Sequence, residues 1–292
     1  MTDVEKLTKF GLDSVAAAFD LIDQMGERGV DVVEHRAGDY RSWDPDVLRV
    51  DKDVEDLFIA RLNEASIRAR ILSEEAGDKP LETGADDDDW VYFISDPFDG
   101  SLLYKRQIPA FWYTALAIYD SGGDVITAAV GACASRTVDY CDPTGAYTGH
   151  FVGGELKEVK PVKPRDTDEL GAAFLETYLM KPHYLYPTVI NLRPLLESVK
   201  FVVPNGGPCG FCDVATGRTD IYLAHRQPFV DVMSGLPVAE KAGCVITDYA
   251  GNSVPFEADI DQRYYIVCSA NQGLHDQVLD ILARIPEEEL YK

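Results

Sequence analysis

One stretch decides the fold of this chain: Ile94-Ser95-Asp96-Pro97-Phe98-Asp99-Gly100-Ser101-Leu102-Leu103. The aromatic and β-branched run at 90–94 predicts a buried strand. Pro97 fixes φ between the two aspartates, and Gly100 permits a backbone conformation that other residues resist. We expect the strand to end in a turn that aims both carboxylates at one point, with the next N–H groups facing an anion. Such a set suits metal-assisted phosphoryl hydrolysis. The alternative is a solvated turn marked by Asp-Pro and Asp-Gly.

The composition is that of an ordinary globular protein. The chain has 292 residues, 46% hydrophobic and 26% charged, with a net charge of −23. This charge works against nucleic acid and anionic membrane surfaces as partners. The chain has no apolar run of membrane-spanning length, and its N-terminus is too acidic for a signal peptide, so we expect a cytoplasmic protein. A phosphate substrate would be repelled unless bound cations reverse the sign of the field locally.

Six cysteines lie mostly in apolar, strand-like segments, where a cytosolic protein keeps reduced and buried thiols. The pair in Cys209-Gly-Phe-Cys212 has the spacing of a redox or zinc motif. A four-cysteine zinc site needs a second close pair, and Cys133 and Cys141 are too far apart to form one. A redox protein built on Cys209 and Cys212 therefore remains an alternative that rests on these two residues alone.

The first half of the chain predicts two helices and then a sheet. An apolar stripe predicts a helix over 3–25, and residues 31–50 are polar and irregular. A second helix is predicted to begin at Asp51 or Asp53 and to run to about residue 67, with Asp51 as a possible N-cap. The stretch 69–77 predicts a short strand that ends in paired acids and a glycine, and the acidic run 86–89 predicts a solvated loop. Strands over 111–119, 125–132, 136–142 and 146–148, separated by turns, suit an antiparallel sheet.

The pattern changes after residue 155. Residues 157–168 form a basic, proline-bearing link. Strands at 172–177, 200–203, 221–223, 244–248 and 264–269 then alternate with helices at about 187–198, 208–216, 231–242 and 271–284, which predicts an α/β layer. We therefore divide the chain into an N-terminal α+β half, 1–155, and a C-terminal α/β half, 156–292.

Acidic residues end predicted strands or begin helices at three places: Glu74 and Glu75, Asp96 and Asp99, and Asp231. If they converge, ionising all of them is unfavourable without cations. Oxygen-only ligands favour Mg²⁺ or Mn²⁺ over zinc. The five histidines have no paired metal-ligand spacing, and a serine hydrolase has no G-x-S-x-G segment to use.

These residues resemble the inositol monophosphatase family, part of a superfamily with the fructose-1,6-bisphosphatases and bisphosphate nucleotidases. The resemblance extends from about residue 45 to residue 252. It includes 213–222 and 241–251, and rests on Asp51-Lys-Asp-Val-Glu55, Ser73-Glu-Glu75, Asp96-Pro-Phe-Asp-Gly-Ser101 and Val230-Asp231. It implies a layered α-β-α-β-α sugar-phosphatase fold with an antiparallel N-terminal sheet and a mixed C-terminal sheet. It also implies a homodimer.

The resemblance implies a metal site. Glu74, Asp96 and the carbonyl of Phe98 would hold an activating metal, and Asp96, Asp99 and Asp231 would hold a second. The expected cofactor is Mg²⁺, as two or three ions, with Mn²⁺ possible and Li⁺ or Ca²⁺ inhibitory.

The resemblance also assigns the catalytic and phosphate-binding roles. Ser101 stands where the family usually has threonine, and together with Asp51 it would orient and deprotonate the attacking water, beside Glu74. The backbone N–H groups of Gly100 and Ser101 would bind the phosphate. Asp51 would also touch a weaker third metal held by the 31–50 loop.

The sequence departs from the family where the substrate is selected. Seven residues before Asp231, inositol-selective members have glutamate, whereas this chain has Ala224, followed by His225 and Arg226. We place His225 and Arg226 in the substrate-binding group and expect less preference for myo-inositol. The candidates for receiving a second phosphate are Arg226, Lys181 and Arg165, and the candidate loop cations are Arg36 and Arg41.

The sequence therefore predicts a Mg²⁺-dependent phosphomonoesterase for a small phosphorylated metabolite, a sugar or inositol phosphate. One alternative is a fructose-1,6-bisphosphatase or 3′(2′),5′-bisphosphate nucleotidase. A second, of a different class, is a non-catalytic metal-binding family member that acts through protein contacts.

Overall fold

The computed structural model describes residues 4–35, 46–79 and 90–291. The predictions for Arg36, Arg41 and the acidic run 86–89 lie outside these residues. The chain forms two compact units. The first contains Met1–Val138 and Gly149–Val159, and the second contains Asp139–Thr148 and Lys160–Lys292. The division at residue 155 stays a prediction of the sequence.

The first unit begins with α1 (Val4–Met25), whose apolar stripe buries Leu7, Val15, Phe19 and Ile22 as the periodicity predicts. A 3₁₀ turn (Gly26–Val30) and a short antiparallel pair, β1 (Val32–His35) and β2 (Asp46–Leu48), follow it. Helix α2 (Arg49–Glu64) starts two residues earlier than the first of its two predicted starts. Leu48 is extended, and Asp51, in the third helical position, accepts its N–H, so Asp51 is not the N-cap.

Eight strands form the large sheet, in the order β10-β9-β8-β7-β6-β5-β3-β4. The predicted antiparallel pattern holds for the pairs β3–β4, β5–β6 and β6–β7, but β3 and β5 run parallel. A short helix, α3 (Ser101–Tyr104), connects β5 to β6. The strands are β3 (Ala69–Ser73), β4 (Gly77–Lys79), β5 (Val91–Asp99), β6 (Tyr113–Asp120), β7 (Val125–Ala132), β8 (Thr137–Asp142), β9 (Gly145–Val152) and β10 (Glu155–Pro161).

Two sequence predictions about this sheet are wrong. Strand β5 does not end before the acidic motif but continues to Asp99, because the backbone resumes pairing with β6 beyond an irregularity. The basic link predicted from residue 157 begins instead as an edge strand, β10, which pairs along one side only and needs no apolar pattern. Helices α1 and α2 cover β5 through Phe10 and Phe58, whose rings lie 6.5 and 6.0 Å from that of Phe93.

The second unit is built on a five-stranded sheet in the order β12-β11-β13-β15-β14. The pairs β11–β12 and β11–β13 are parallel, and β13–β15 and β14–β15 are antiparallel, so the sheet is mixed as predicted. A 3₁₀ turn (Leu170–Ala172) precedes it. The strands are β11 (Phe174–Thr177), β12 (Phe201–Val203), β13 (Ile221–Pro228), β14 (Val245–Asp248) and β15 (Arg263–Ser269).

Helices alternate with these strands and enclose an apolar core. The predicted helix over 187–198 is two helices, because Pro194 supplies no N–H to continue the first. The helices are α4 (Pro182–Asn191), α5 (Arg193–Leu196), α6 (Pro208–Ala215), α7 (Phe229–Ala242), α8 (Gln272–Leu282) and α9 (Glu287–Leu290). The core includes Leu175, Leu195, Leu223, Val267, Leu274 and Val278. Together with the first unit, this architecture confirms the predicted mixed α and β fold class.

No helix in the described ranges is long and apolar enough to cross a membrane.

Candidate active site

A hydrogen bond joins two of the predicted site residues, although fifty positions separate them. The Ser101 hydroxyl donates to Asp51 Oδ1 at 2.7 Å and lies 3.3 Å from the carbonyl oxygen of Phe98. The other Asp51 oxygen accepts the N–H of Leu48 at 2.8 Å. Asp51 is only 4% exposed. The carboxylate is therefore held at both oxygens, and the Ser101 hydroxyl keeps its lone pairs for a further donor.

The parallel pairing of β3 with β5 brings Glu74 beside Asp96. Ser73 pairs with Ser95, and the N–H of Glu74 donates to the carbonyl of Ser95 at 3.1 Å. Glu74 and Asp96 each follow directly after this paired position, so the two acids lie at the same height on neighbouring strands. Because neighbouring strands lie about 4.8 Å apart, the backbones of these two acids are close together. An antiparallel pair would have put these two strand ends at opposite edges of the sheet.

An irregularity in β5 presents the rest of the acidic motif. The pairing with β6 shifts between Asp96 and Asp99, and such a bulge changes the direction of the side chains that follow it. Gly100 then has φ +102°, and a Cβ there would lie 2.2 Å from the carbonyl oxygen of Phe111. Only glycine fits this position. Asp96 is buried and Asp99 is half-buried, which gives the site one sheltered and one more accessible carboxylate.

Glu55 is a residue of this region to which the sequence assigned no role. Its Oε1 accepts the Ser73 hydroxyl at 2.5 Å and the N–H of Ala76 at 2.6 Å. It therefore holds both ends of the turn that carries Glu74 and Glu75. Glu55 lies four residues after Asp51 on α2, on the same helix face, and is 2% exposed. That spacing, inside a stretch that resembles the family, is the signal that identifies it.

Burial dominates the electrostatics of the Asp51 carboxyl. It raises the pKa of Asp51 well above its ordinary value of 3.8. The charge of Glu75, and to a lesser extent that of Glu74, raises this pKa further, whereas the hydrogen bonds from Ser101 and Leu48 lower it. Asp51 therefore holds a proton more readily than an ordinary aspartate, as a group that takes a proton from water must.

The donor set fits a hard divalent cation. Glu74, Asp96 and Asp99 offer carboxylate oxygens and Phe98 a carbonyl oxygen, and oxygen-only sets of this kind suit Mg²⁺. The effect of neighbouring carboxylates on Asp51 shows that negative charge accumulates here, and a cation would relieve it. These residues all belong to the first unit, and Asp231 belongs to the second.

In the second unit, Asp231 occupies the third position of α7 and is half-buried. His225 is 3% exposed, its Nδ1 lies 3.2 Å from the hydroxyl of Tyr249, and its ring packs against Tyr265. This environment favours a packing role, so we omit His225 from the proposed substrate site. Arg226 is exposed and has φ +57°, at the shift in pairing between β13 and β15.

All six cysteines lie within the described part of the chain, and no disulfide joins them. Cys209 and Cys212 on α6 are 1% and 0% exposed. Burial raises the pKa of the Cys212 thiol well above its ordinary range. A redox motif needs an accessible thiol of low pKa, so these observations disfavour the redox alternative.

The mixed fold and the oxygen-rich site are those expected of a phosphatase. The sequence model of the inositol monophosphatase family matches residues 3–287, so the chain belongs to this family. Membership supports a hydrolase of the phosphatase class, and the family is generally metal-dependent.

Three comparisons illustrate the relationship. The chain is 29% identical to the Inositol-1-monophosphatase SuhB of Mycobacterium tuberculosis over 245 residues, 82% of this chain and 78% of that protein. It is 25% identical over 236 residues to a Fructose-1,6-bisphosphatase/inositol-1-monophosphatase of Methanocaldococcus jannaschii, 80% of this chain and 83% of that one. The solved inositol monophosphatase of Anabaena (Nostoc) sp. PCC 7120 has a TM-score of 0.72 at 20% identity and covers 98% of both chains, which shows the fold.

Proposed function

We propose that this protein is a Mg²⁺-dependent phosphomonoesterase that hydrolyses a small sugar or inositol phosphate. The observation that carries the proposal is the hydrogen bond from Ser101 to the buried Asp51, next to the strand ends that present Glu74 and Asp96. Family membership supports the phosphatase class, and the residues of the site support the finer assignment.

The Ser101–Asp51 pair supplies a route for a proton. A water molecule that donates to the Ser101 oxygen becomes more nucleophilic as the serine proton moves toward Asp51 Oδ1. Burial is the largest cause of the raised pKa of Asp51, and it makes the carboxylate a better acceptor for that proton than an exposed aspartate is. The second hydrogen bond, from Leu48, fixes the orientation of the carboxylate, so the pair is arranged before the substrate binds.

Glu74, Asp96, Asp99 and the carbonyl of Phe98 would hold the cations, and Asp231 is the further ligand that we propose from the family resemblance. When bound, Mg²⁺ supplies positive charge that offsets the carboxylates and polarises the phosphate ester. Gly100 and Ser101 contribute backbone N–H groups at the start of α3, where no helical carbonyl precedes them. We propose that these groups bind the phosphate oxygens.

The proposed substrate is a small phosphorylated metabolite and not a nucleic acid, because the net charge of −23 opposes a long polyanion. At the position where inositol-selective members have glutamate, Ala224 is fully buried and offers no hydrogen-bonding group. A broader substrate range than that of an inositol-selective enzyme follows. The homodimer implied by the family resemblance stays a prediction.

A cationic cluster in the second unit favours a sugar bisphosphate as the second candidate substrate. The charges of Lys181 and Arg226 act on His183, whose pKa is lowered first by burial and then by these two neighbours. Lys181 Nζ lies 5.5 Å from the ring centre of Tyr178. Because the lowered pKa favours neutral His183, Lys181 and Arg226 are the two cations of the cluster, and two cations in so acidic a chain suit a second phosphate. Arg165 instead donates to the carbonyl of Gly217.

Phosphate release from a panel of sugar, inositol and bisphosphate esters, with and without Mg²⁺, tests the proposal. We expect Mg²⁺-dependent release, and a loss of about 10²-fold or more in kcat for Asp99→Asn, because amide replacement removes a charged cation ligand. Asp124→Asn, in the exposed turn between β6 and β7, is the matched control and should retain full activity.

The outcomes separate the alternatives. Absence of metal-dependent release from every ester rejects the enzyme and leaves the non-catalytic, protein-binding family member. Release from monophosphates with no faster hydrolysis of fructose 1,6-bisphosphate rejects the bisphosphatase. Equal activity of Asp99→Asn and wild type contradicts the assignment of the site.

A further inference from the structure

A second group of potential metal ligands lies within the second unit. Glu176 on β11 and Cys209 and Asp213 on α6 each offer one ligand atom, and these three atoms lie within 4.8 Å of one another. Cys209 and Asp213 are four residues apart and therefore share one face of α6. The Asn205 amide adjoins the same group, with its Nδ2 3.1 Å from Glu176 Oε1 and 2.9 Å from the Cys209 sulfur.

The cluster is buried to a degree that calls for a compensating charge. Glu176 is 0% exposed, no N–H or hydroxyl donor among the described residues reaches its Oε2, and its carboxyl group lies within hydrogen-bond reach of the Asp213 carboxyl group. Burial and the nearby Asp213 raise the pKa of Glu176 well above its ordinary range. Two carboxyl groups this close coexist in the interior only with a shared proton or with a cation.

One arginine beside the cluster already pairs with two carboxylates. Arg218 pairs with Asp213 and, at 2.6 Å, with Asp139. A single guanidinium group thus pairs with two carboxylates, and Glu176 is a third acidic group nearby. With Glu176 ionised the group carries an excess of negative charge, which a divalent cation would offset.

A separate observation concerns the phenol of Tyr222. Its hydroxyl is buried and can accept from the backbone N–H of Gly207, but it has no acceptor for its own proton in the described ranges; its charged neighbours are Asp231, Cys209 and Glu176. The hydroxyl and the Cys209 thiol both lie beside Gly206. A buried hydroxyl whose proton has no acceptor is unfavourable. A metal-bound thiolate, unlike a thiol, is a good acceptor for such a hydroxyl, as in other outer-shell contacts of metal sites.

We propose that Glu176, Cys209 and Asp213 form a binding site for one divalent cation of the zinc class, separate from the magnesium site. A sulfur ligand beside carboxylates selects Zn²⁺ or Co²⁺ over Mg²⁺. Bond lengths of about 2.3 Å to sulfur and 2.0 Å to oxygen put tetrahedral ligand atoms roughly 3.3–3.5 Å apart, so atoms within 4.8 Å of one another have to close by at most about 1.5 Å per pair. Asn205 becomes the fourth ligand by turning its amide oxygen toward the ion. The ion would fasten β11 to α6, and half-buried Asp213 marks its entry.

Titration of the chelator-treated, full-length protein with Co²⁺ in excess Mg²⁺ tests this site without any activity measurement. We expect a near-ultraviolet band from charge transfer between thiolate and Co²⁺, and its loss when Zn²⁺ is added. Cys209→Ser should abolish the band, whereas Cys212→Ser, a buried cysteine on the same helix outside the cluster, should retain it. Glu176→Gln should weaken Co²⁺ binding by about 10- to 100-fold.

Circular dichroism establishes which variants fold. If Cys209→Ser does not fold, Glu176→Gln and the wild type decide the matter. A wild-type spectrum without the thiolate band overturns the proposal in favour of a shared proton between Glu176 and Asp213, whatever the variants do. A band that persists in Cys209→Ser, or Co²⁺ affinity unchanged in Glu176→Gln, also overturns it. Because carboxylate ligands give no such band, failure here leaves the phosphatase proposal untouched.

Discussion

At the scale of single residues, the Ser101 hydroxyl is the group whose chemistry the structure defines best. It donates to a buried carboxylate and stands where the family usually has threonine. Serine and threonine share the hydroxyl and differ by one methyl group. The proton route therefore needs the hydroxyl oxygen and not the β-methyl group of threonine.

We therefore expect Ser101→Ala to lower kcat by about 10²-fold or more, within the usual contribution of a general acid–base relay. Ser101→Thr should stay within about 10-fold of wild type, because it keeps the hydroxyl. Steady-state kinetics of Mg²⁺-dependent phosphate release measure both variants. The exposed Ser135→Ala is the control. Unchanged kcat in Ser101→Ala would show that Asp51 acts without the serine.

At the scale of elements, the turn after β3 depends on a helix that precedes it in the chain. Glu55 of α2 accepts two hydrogen bonds from residues flanking Glu74 and Glu75. Truncating it leaves a buried hydroxyl and a backbone N–H without their acceptor, at about 1–3 kcal/mol for each group. The turn then loses the constraint that orients Glu74.

Glu55→Ala should therefore lower kcat and raise the Mg²⁺ concentration needed for half-maximal activity. Glu55→Gln should restore most of both, since the amide keeps an oxygen acceptor. A purely structural role would lower the melting temperature in both variants without moving the Mg²⁺ requirement. Glu64→Ala, exposed on the same helix, is the comparison variant. Equal Mg²⁺ requirements in Glu55→Ala and wild type would contradict a positioning role.

Sequence periodicity predicted these elements well where each one obeys a single local rule. The continuous apolar run of β7 and the apolar stripe of α1 needed no tertiary information. The continuation of β5 through the acidic motif was missed, because Pro97 and Gly100 are locally turn residues and only the pairing with β6 keeps the backbone extended. The acidic residues of the first unit were identified by their type and order. The Glu55 contacts were not, since they depend on a helix docking over the strand.

At the scale of the whole molecule, the dominant physical property is the net charge of −23. Like charges repel throughout a compact chain, and added salt screens this repulsion over about 8 Å at physiological ionic strength. Specific cation binding acts differently, because it saturates and depends on particular carboxylates.

We therefore expect the melting temperature to rise with KCl and to rise further with Mg²⁺ at matched ionic strength. A Mg²⁺ concentration about 100-fold above its Kd adds about 2.7 kcal/mol to the free energy of unfolding. Thermal unfolding of wild type and Asp99→Asn measures both effects. The variant should keep the KCl response and lose most of the Mg²⁺ increment. An equal increment in both proteins would place the bound Mg²⁺ elsewhere.

The edge strands of the eight-stranded sheet affect how copies of this chain can meet. Strand β10 carries Glu155, Lys157, Glu158 and Lys160 and ends at Pro161, and Glu158 has φ +55°. At the opposite edge, the described part of β4 contains Asp78 and Lys79. Charges and proline on an edge strand protect a sheet from edge-to-edge aggregation. We therefore expect a dimer of this chain to use side chains on another surface rather than to continue this sheet from one copy into the next.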